Sequence, residues 1–216
     1  LAEQQKIAAK SGTTLELVVI FFFNDTSTTE IYTTYRNLFR DANEVLADPE
    51  IDIICETIGG DGIALEFVKT ALANGKHVVT ANKKMIALHF AELTALAREH
   101  GATLRYEAAV GGGIPLLSTV NSGLAADAIT SVEGILNGTT NFILSKMAAE
   151  GAEFAAVLKE AQDLGYAEAD PTDDVEGFDV AYKLAILCAL AFGCQLHPDT
   201  IRRTGATAVT AMELGY

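Results

Sequence analysis

Ile51-Asp52-Ile53-Ile54-Cys55-Glu56, then Ile63 to Asn74, then Lys76-His77-Val78-Val79-Thr80, form the stretch that decides the fold. The first and third runs are short and rich in β-branched residues, which suits strands buried in a sheet. The run between them repeats its apolar residues at helical spacing. Strand, helix and strand in that order make a parallel pair joined by a crossover. Working outward, Met85–His100 reads as a second helix and Leu104–Glu107 as a third strand. Upstream, Ala42–Ala47 reads as a helix and Leu15–Ile20 as a strand. Gly75 and Gly101 each follow a helical run, where a residue free to adopt positive φ ends the helix. The alternation predicts an α/β domain whose parallel sheet is covered on both faces.

From Gly111 the pattern changes. Gly111-Gly112-Gly113-Ile114-Pro115 reads as a joint, with Pro115 placed to start a helix. Ile129–Leu136 is expected to be a strand, followed by helices from about Thr139, over Phe154–Asp163 and over Asp179–Phe192. The chain therefore divides into residues 1–111 and an α+β unit over 112–216. Phe21-Phe22-Phe23-Asn24-Asp25 and the Thr-rich run to Tyr35 fit neither period. Residues 20–40 read either as a surface insertion or as the translation of a sequencing-adapter read-through.

A formal charge of −14 and a pI near 4.6 remove the basic footprint that a nucleic-acid partner needs. Leu184 to Gly193, the longest apolar run, is about half of a membrane span. With no apolar leader after Leu1, a cytoplasmic protein is expected. Cys55, Cys188 and Cys194 lie in apolar runs without metal-ligand spacing and read as buried free thiols.

The chemistry collects in four segments. Glu56-Thr57-Ile58-Gly59-Gly60 ends one strand, and Thr80-Ala81-Asn82-Lys83-Lys84 ends the next. Adjacent carboxyl ends of parallel strands, one glycine-rich and one polar, form a wall of the crevice where such sheets bind ligands. Gly134-Ile135-Leu136-Asn137-Gly138-Thr139-Thr140 sets free N–H groups and hydroxyls at a helix start. Asp170-Pro171-Thr172-Asp173-Asp174-Val175-Glu176-Gly177-Phe178-Asp179 leads to Lys183. Asp179 and Lys183 stand four apart and share one helix face, so both can act on one bound molecule. As a mere surface pair they would contribute only ~0.3–0.5 kcal/mol.

Taken together these residues resemble homoserine dehydrogenase. The resemblance rests on Ala161, Gly165-Tyr166-Ala167, Asp170-Pro171, the Asp173-Asp174-Val175 run, Gly177, Asp179 and Lys183. Thr80-Ala81-Asn82-Lys83, Glu107-Ala108-Ala109-Val110-Gly111-Gly112-Gly113-Ile114-Pro115 and the Gly134–Asn141 segment add to it in the family's order. It covers roughly residues 41–216 and, more loosely, 1–19.

The resemblance implies a Rossmann-like domain followed by a catalytic and dimerisation domain. It implies NAD- or NADP-linked interconversion of L-homoserine and L-aspartate 4-semialdehyde, in threonine and methionine biosynthesis, by a homodimer joined through the second domain. Lys183 would carry the proton at the substrate oxygen, and Lys83 would assist between cofactor and substrate. Glu168, Asp179, Asp174, Gly138 and Thr139 would bind the substrate. Thr57, Ile58, Gly59 and Gly165, with Lys83, would line the cofactor. A sodium ion would sit at Glu107, Val110, Gly112 and Ile114, held mostly by main-chain oxygens.

No GxGxxG occurs in the chain, and residues 1–10 read as the tail of a helix whose glycine loop lies upstream. A chain starting after the phosphate loop and stopping before the family's end is the expectation. The alternative is an inactive fragment that keeps only the fold of the second domain. Aspartate-semialdehyde dehydrogenase, a third reading, requires an activated cysteine that apolar surroundings do not supply.

Overall fold

The computed structural model describes residues 41–215. The expected strand over Leu15–Ile20, the helical tail over 1–10 and the anomalous stretch over 20–40 lie outside the described residues.

Three parallel strands form the sheet: β1 (Ile53–Glu56), β2 (His77–Thr80) and β3 (Leu104–Arg105), in that spatial order. Ile53 pairs with His77 and Glu56 with Thr80, so β1 and β2 end level with one another. Helix α1 (Ala42–Ala47) precedes the sheet, α2 (Ile63–Ala73) joins β1 to β2, and α3 (Lys83–Glu99) joins β2 to β3. In α2 the buried residues Ala64, Leu65, Val68, Ala71 and Leu72 recur at the spacing of one helical face. Burying a side chain such as Leu72 or Val68 stabilises the fold by roughly 1.5–3 kcal/mol.

Strand alternation governs the sheet. Glu56, Val78 and Thr80 are buried, while Ile53, Cys55 and Val79 are exposed. The expected cover on both faces is thus met on one face only among the described residues. Cys55 and Cys194 are exposed and Cys188 is intermediate, which corrects their reading as buried thiols. Cys55 points to the open face, and Cys194 lies beyond the end of the last long helix.

The second half begins with a short helical turn, Leu116–Ser118. Three longer helices follow it, α4 (Gly138–Glu150), α5 (Phe154–Asp163) and α7 (Phe178–Phe192), with the short α6 (Thr172–Val175) before the last. Ile129–Leu136, expected as a strand, has no ladder partner among the described residues, and β-branched sequence alone does not make a strand without one. No strand of the expected α+β unit occurs among the described residues after Arg105.

Ala185, Ile186 and Leu187 of α7 join the core built by Leu72, Val78, Met85, Ile86 and Leu93. That shared core presses α7 against α3. A second cluster, Ile143, Met147, Val157, Ala161 and Ala167, binds α4 to α5. No helix among the described residues is long and apolar enough to cross a membrane.

Candidate active site

Each long helix that reaches the cleft starts beside it because of a local capping choice. Asn82 caps α3, its side-chain oxygen accepting from Met85 N at 3.1 Å. Asn137 caps α4 in the same way, accepting from Thr140 N at 2.8 Å. Gly177 precedes α7 with φ of 79°, a left-handed conformation that only glycine adopts at little cost. The first turns supply Lys83 from α3, Gly138 and Thr139 from α4, and Asp179 from α7. Together with Asn137, Phe142, Tyr166, Asp174 and Lys183 they line a cleft of about 410 Å³. Three helix N-termini at one cleft favour bound negative charge there.

Asp179 is the centre of this site, buried to 1% exposure. Its Oδ1 is 2.7 Å from Lys83 Nζ, and its Oδ2 is 2.7 Å from Lys183 Nζ and 2.8 Å from Asn137 Nδ2. Burial pushes the Asp179 carboxyl up, but the hydrogen bonds from Lys183, Lys83 and Asn137 outweigh it and hold it below the ordinary carboxylate range. Burial likewise pulls Lys83 down, yet Asp179 outweighs that and holds its ammonium above the ordinary value. Lys183 also donates to Leu136 O at 2.6 Å. An ammonium has three donors, so one N–H of Lys183 is left for a ligand in the cleft.

The loop after β1 adjoins this group. Glu56, buried at the strand end, accepts from Ile58 N at 2.7 Å and Gly59 N at 3.0 Å through Oε1, and from the Thr80 hydroxyl through Oε2. Asn82 Nδ2 then donates to Gly60 O at 2.6 Å, tying the loop to the residue before Lys83. Gly59 and Gly60 have φ of 84° and 73°, and no atom stands within 4 Å of where a Cβ would be. Thr57, Ile58 and Gly59 are exposed, so the loop presents open backbone on which a flat group can lie.

The structure thus brings together Lys83, Lys183, Asp179, Asp174, Gly138 and Thr139. It does not bring in Glu168, which is exposed, does not line the cleft, and is anchored through its carbonyl by Gln162. Gly165 is also exposed and outside the lining, one residue before Tyr166. Glu107, Val110, Gly112 and Ile114 occupy a separate turn. There the Glu107 carboxylate accepts from Leu117 N and Ser118 N, each at 2.9 Å, and its carbonyl accepts from Val110 N. The Ile114 carbonyl is also engaged, by Leu116 N at 2.7 Å. The Glu107 side chain thus caps the next helical turn, so a cation at these positions would have to be held by main-chain oxygens.

Asn137, Glu56 and Asn82 were not singled out as site residues from sequence. Their signal was present, since each stands at a strand end or before a helical run, but position alone does not say where a side chain's second bond goes. None of the three cysteines lines the cleft, which keeps a thiol nucleophile out of it although two of them are exposed.

The family model for the homoserine dehydrogenase NAD binding domain matches residues 3–107, and that for homoserine dehydrogenase matches residues 115–216. The chain belongs to the homoserine dehydrogenase family. A homoserine dehydrogenase of Pseudomonas aeruginosa is 51% identical over 176 residues, 82% of this chain and 41% of the relative. The crystal structure of a homoserine dehydrogenase from Thiobacillus denitrificans superposes with a TM-score of 0.92 at 44% identity, over 97% of this chain and 48% of that one. A hyperthermophilic archaeal homoserine dehydrogenase in complex with NADPH superposes with a TM-score of 0.70 at 28% identity, over 90% of this chain and 56% of that one. The chain thus spans about two fifths of the length of the curated relative, within a family whose NAD-binding and catalytic models together account for most of its residues.

Proposed function

We propose that this chain forms the site at which a homoserine dehydrogenase interconverts L-homoserine and L-aspartate 4-semialdehyde, with residues 1–111 serving the dinucleotide and 112–216 the substrate. The observation that carries the reading is the buried Asp179 carboxylate held between two lysines at the mouth of three helices. Lysines 83 and 183 and aspartates 174 and 179 balance in charge, which suits a small zwitterion. The substrate carboxylate is assigned to the first turn of α4, at Gly138 and Thr139. Its ammonium is assigned to Asp174, which lines the cleft, and to Glu168, two residues past the cleft residue Tyr166.

The bound nicotinamide dinucleotide supplies the hydride acceptor or donor. Thr57, Ile58, Gly59 and Gly165 are assigned to its binding, and Lys83 to the junction between it and the substrate. NADP or NAD fits this role, and the NADPH bound by the archaeal relative supports the former. In the oxidative direction Lys183 Nζ takes the hydroxyl proton while the hydride leaves the same carbon. In reverse, its remaining N–H donates to the oxygen as negative charge develops there. Lys83 adds a second positive charge to the same environment. No step of the reaction is assigned to a monovalent cation.

Homodimerisation through the second half is part of the same reading. Ile135, exposed in the segment that lacks a ladder partner, and Leu124, exposed a few residues before it, support it. The deciding experiment is dinucleotide reduction by the full-length protein with L-homoserine, and the reverse with the semialdehyde. Absence of homoserine-dependent turnover with both NAD and NADP would sink the reading.

A further inference from the structure

We propose that Asn137 is a positioning residue for this reaction: its side-chain amide spans Asp174 and Asp179 and sets both lysines against the first turn of α4. The proposal rests on the functional reading above.

Asn137 is 5% exposed, and every hydrogen-bonding position of its side chain is occupied. Oδ1 accepts from Thr140 N at 2.8 Å and from Thr140 Oγ1 at 2.9 Å. Nδ2 donates to Asp174 Oδ1 at 2.7 Å and to Asp179 Oδ2 at 2.8 Å. The orientation is forced, because a flipped amide would set its oxygen against two carboxylates and its NH₂ against a backbone N–H. Helix capping needs only the oxygen, and a serine could supply that. The two N–H donors are surplus to capping, and each goes to a carboxylate of the cleft.

Those two carboxylates meet at a single nitrogen. Like charges so placed repel, and a neutral double donor between them offsets that repulsion. The preceding residue completes the arrangement, since Leu136 O receives Lys183 Nζ at 2.6 Å. Residues 136 and 137 therefore hold both members of the Asp179–Lys183 pair, one by a main-chain carbonyl and the other by an amide. The same turn begins α4, whose Gly138 and Thr139 line the cleft. Register between the proton-carrying lysine and the substrate seat is set by this one turn.

Asn137→Ser and Asn137→Asp, made in the full-length protein, test the idea. Asn137→Ser keeps a cap but loses the bridge. It is expected to lower kcat by at least tenfold, with KM for the dinucleotide unchanged. It is also expected to move the acid limb of kcat/KM to higher pH, because Asp179 loses a donor that favours its charged form. The groups facing Asp179 are then Lys183 on its own helix, Lys83 on α3, and Asp174 on α6 with Asp173 beside it. Asn137→Asp conserves volume and capping but adds a third carboxylate, so turnover should fall further at neutral pH and recover in part on acidification. A readout independent of turnover is the carboxyl-carbon NMR titration of Asp179, whose midpoint should rise in Asn137→Ser. Should Asn137→Ser not fold, the neutral-pH turnover of Asn137→Asp decides. Parental kcat with an unmoved Asp179 titration overturns the proposal. A parent enzyme silent with homoserine overturns the functional reading instead, and the Asp179 titration still decides the role of Asn137.

Discussion

Asp179 Oδ1 stands 2.7 Å from Lys83 Nζ, so the helix that follows β2 and the helix that follows the acidic loop share an ion pair whose carboxylate is buried. The second Asp179 oxygen holds Lys183. Asp179→Asn would leave both lysines without their counter-charge. Lys83, with its side chain 40% exposed, can be resolvated, but Lys183, at 15%, cannot be to the same degree. Removing one partner of a buried pair costs about 3 kcal/mol, and the loss should appear as a lower denaturant midpoint with an unchanged m-value. Homoserine-dependent kcat should fall about 10²–10⁴-fold, the range for a displaced acid–base group. Unchanged midpoint and turnover would show that Asp179 organises nothing.

The pH dependence of stability follows from the same pair. Asp179 is held below the ordinary carboxylate range, so the unfolded chain binds its proton more readily than the folded one. Its contribution is present above the unfolded value of ~3.9 and is lost as pH falls through the lower folded value. Lys83 is held above its ordinary value, so its contribution is complete below the unfolded value of ~10.4 and is lost as pH rises through the folded one. Denaturant midpoints measured from acid to alkali should therefore form a plateau across neutral pH. Asp179→Asn should remove the acid edge that this residue contributes. An acid edge identical in the variant would assign it to other carboxylates.

Glu56→Gln tests the loop that follows β1. The Glu56 carboxylate accepts two loop N–H groups and the Thr80 hydroxyl, and an amide replaces one acceptor with a donor. The amide oxygen can keep the two loop bonds, but the Thr80 hydroxyl proton then loses its buried acceptor, which costs about 1–3 kcal/mol. The loop carries the backbone assigned to the dinucleotide, so KM for the dinucleotide should rise about tenfold while KM for homoserine moves little, since tenfold corresponds to about 1.4 kcal/mol. A rise confined to homoserine would move this loop's role to the substrate.

The parallel strands and their helices were legible because their period is local. Ala42–Ala47 and Phe154–Asp163 match the structure at both ends, and Ile63–Asn74 differs by one residue. Ile129–Leu136 was misread as a strand because its composition is that of one, whereas a strand also needs a neighbour. The pairing of Asp179 with Lys183 was legible from helical spacing. Its pairing with Lys83 and Asn137 was not, since both lie on other elements and no spacing rule connects them. Glu168 illustrates the converse, a residue named by its motif whose place outside the cleft lining no spacing rule foretells.

The two lysines should separate in their kinetics. Lys183 spends two of its donors on Asp179 and Leu136, which fixes its nitrogen and leaves a single N–H for the substrate oxygen. Among the described residues Lys83 shows only the Asp179 contact, and it is the more exposed of the pair. Lys183→Met should therefore lower kcat about 10²–10⁴-fold with homoserine KM nearly unchanged, because the lost interaction belongs to proton transfer. Lys83→Met should cost less, about 10–10²-fold in kcat/KM, as expected for removal of one charge that stabilises the transition state without carrying the proton. Steady-state kinetics of both variants in the full-length protein would check the order. The reverse order would make Lys83 the proton carrier and leave Lys183 as its electrostatic partner.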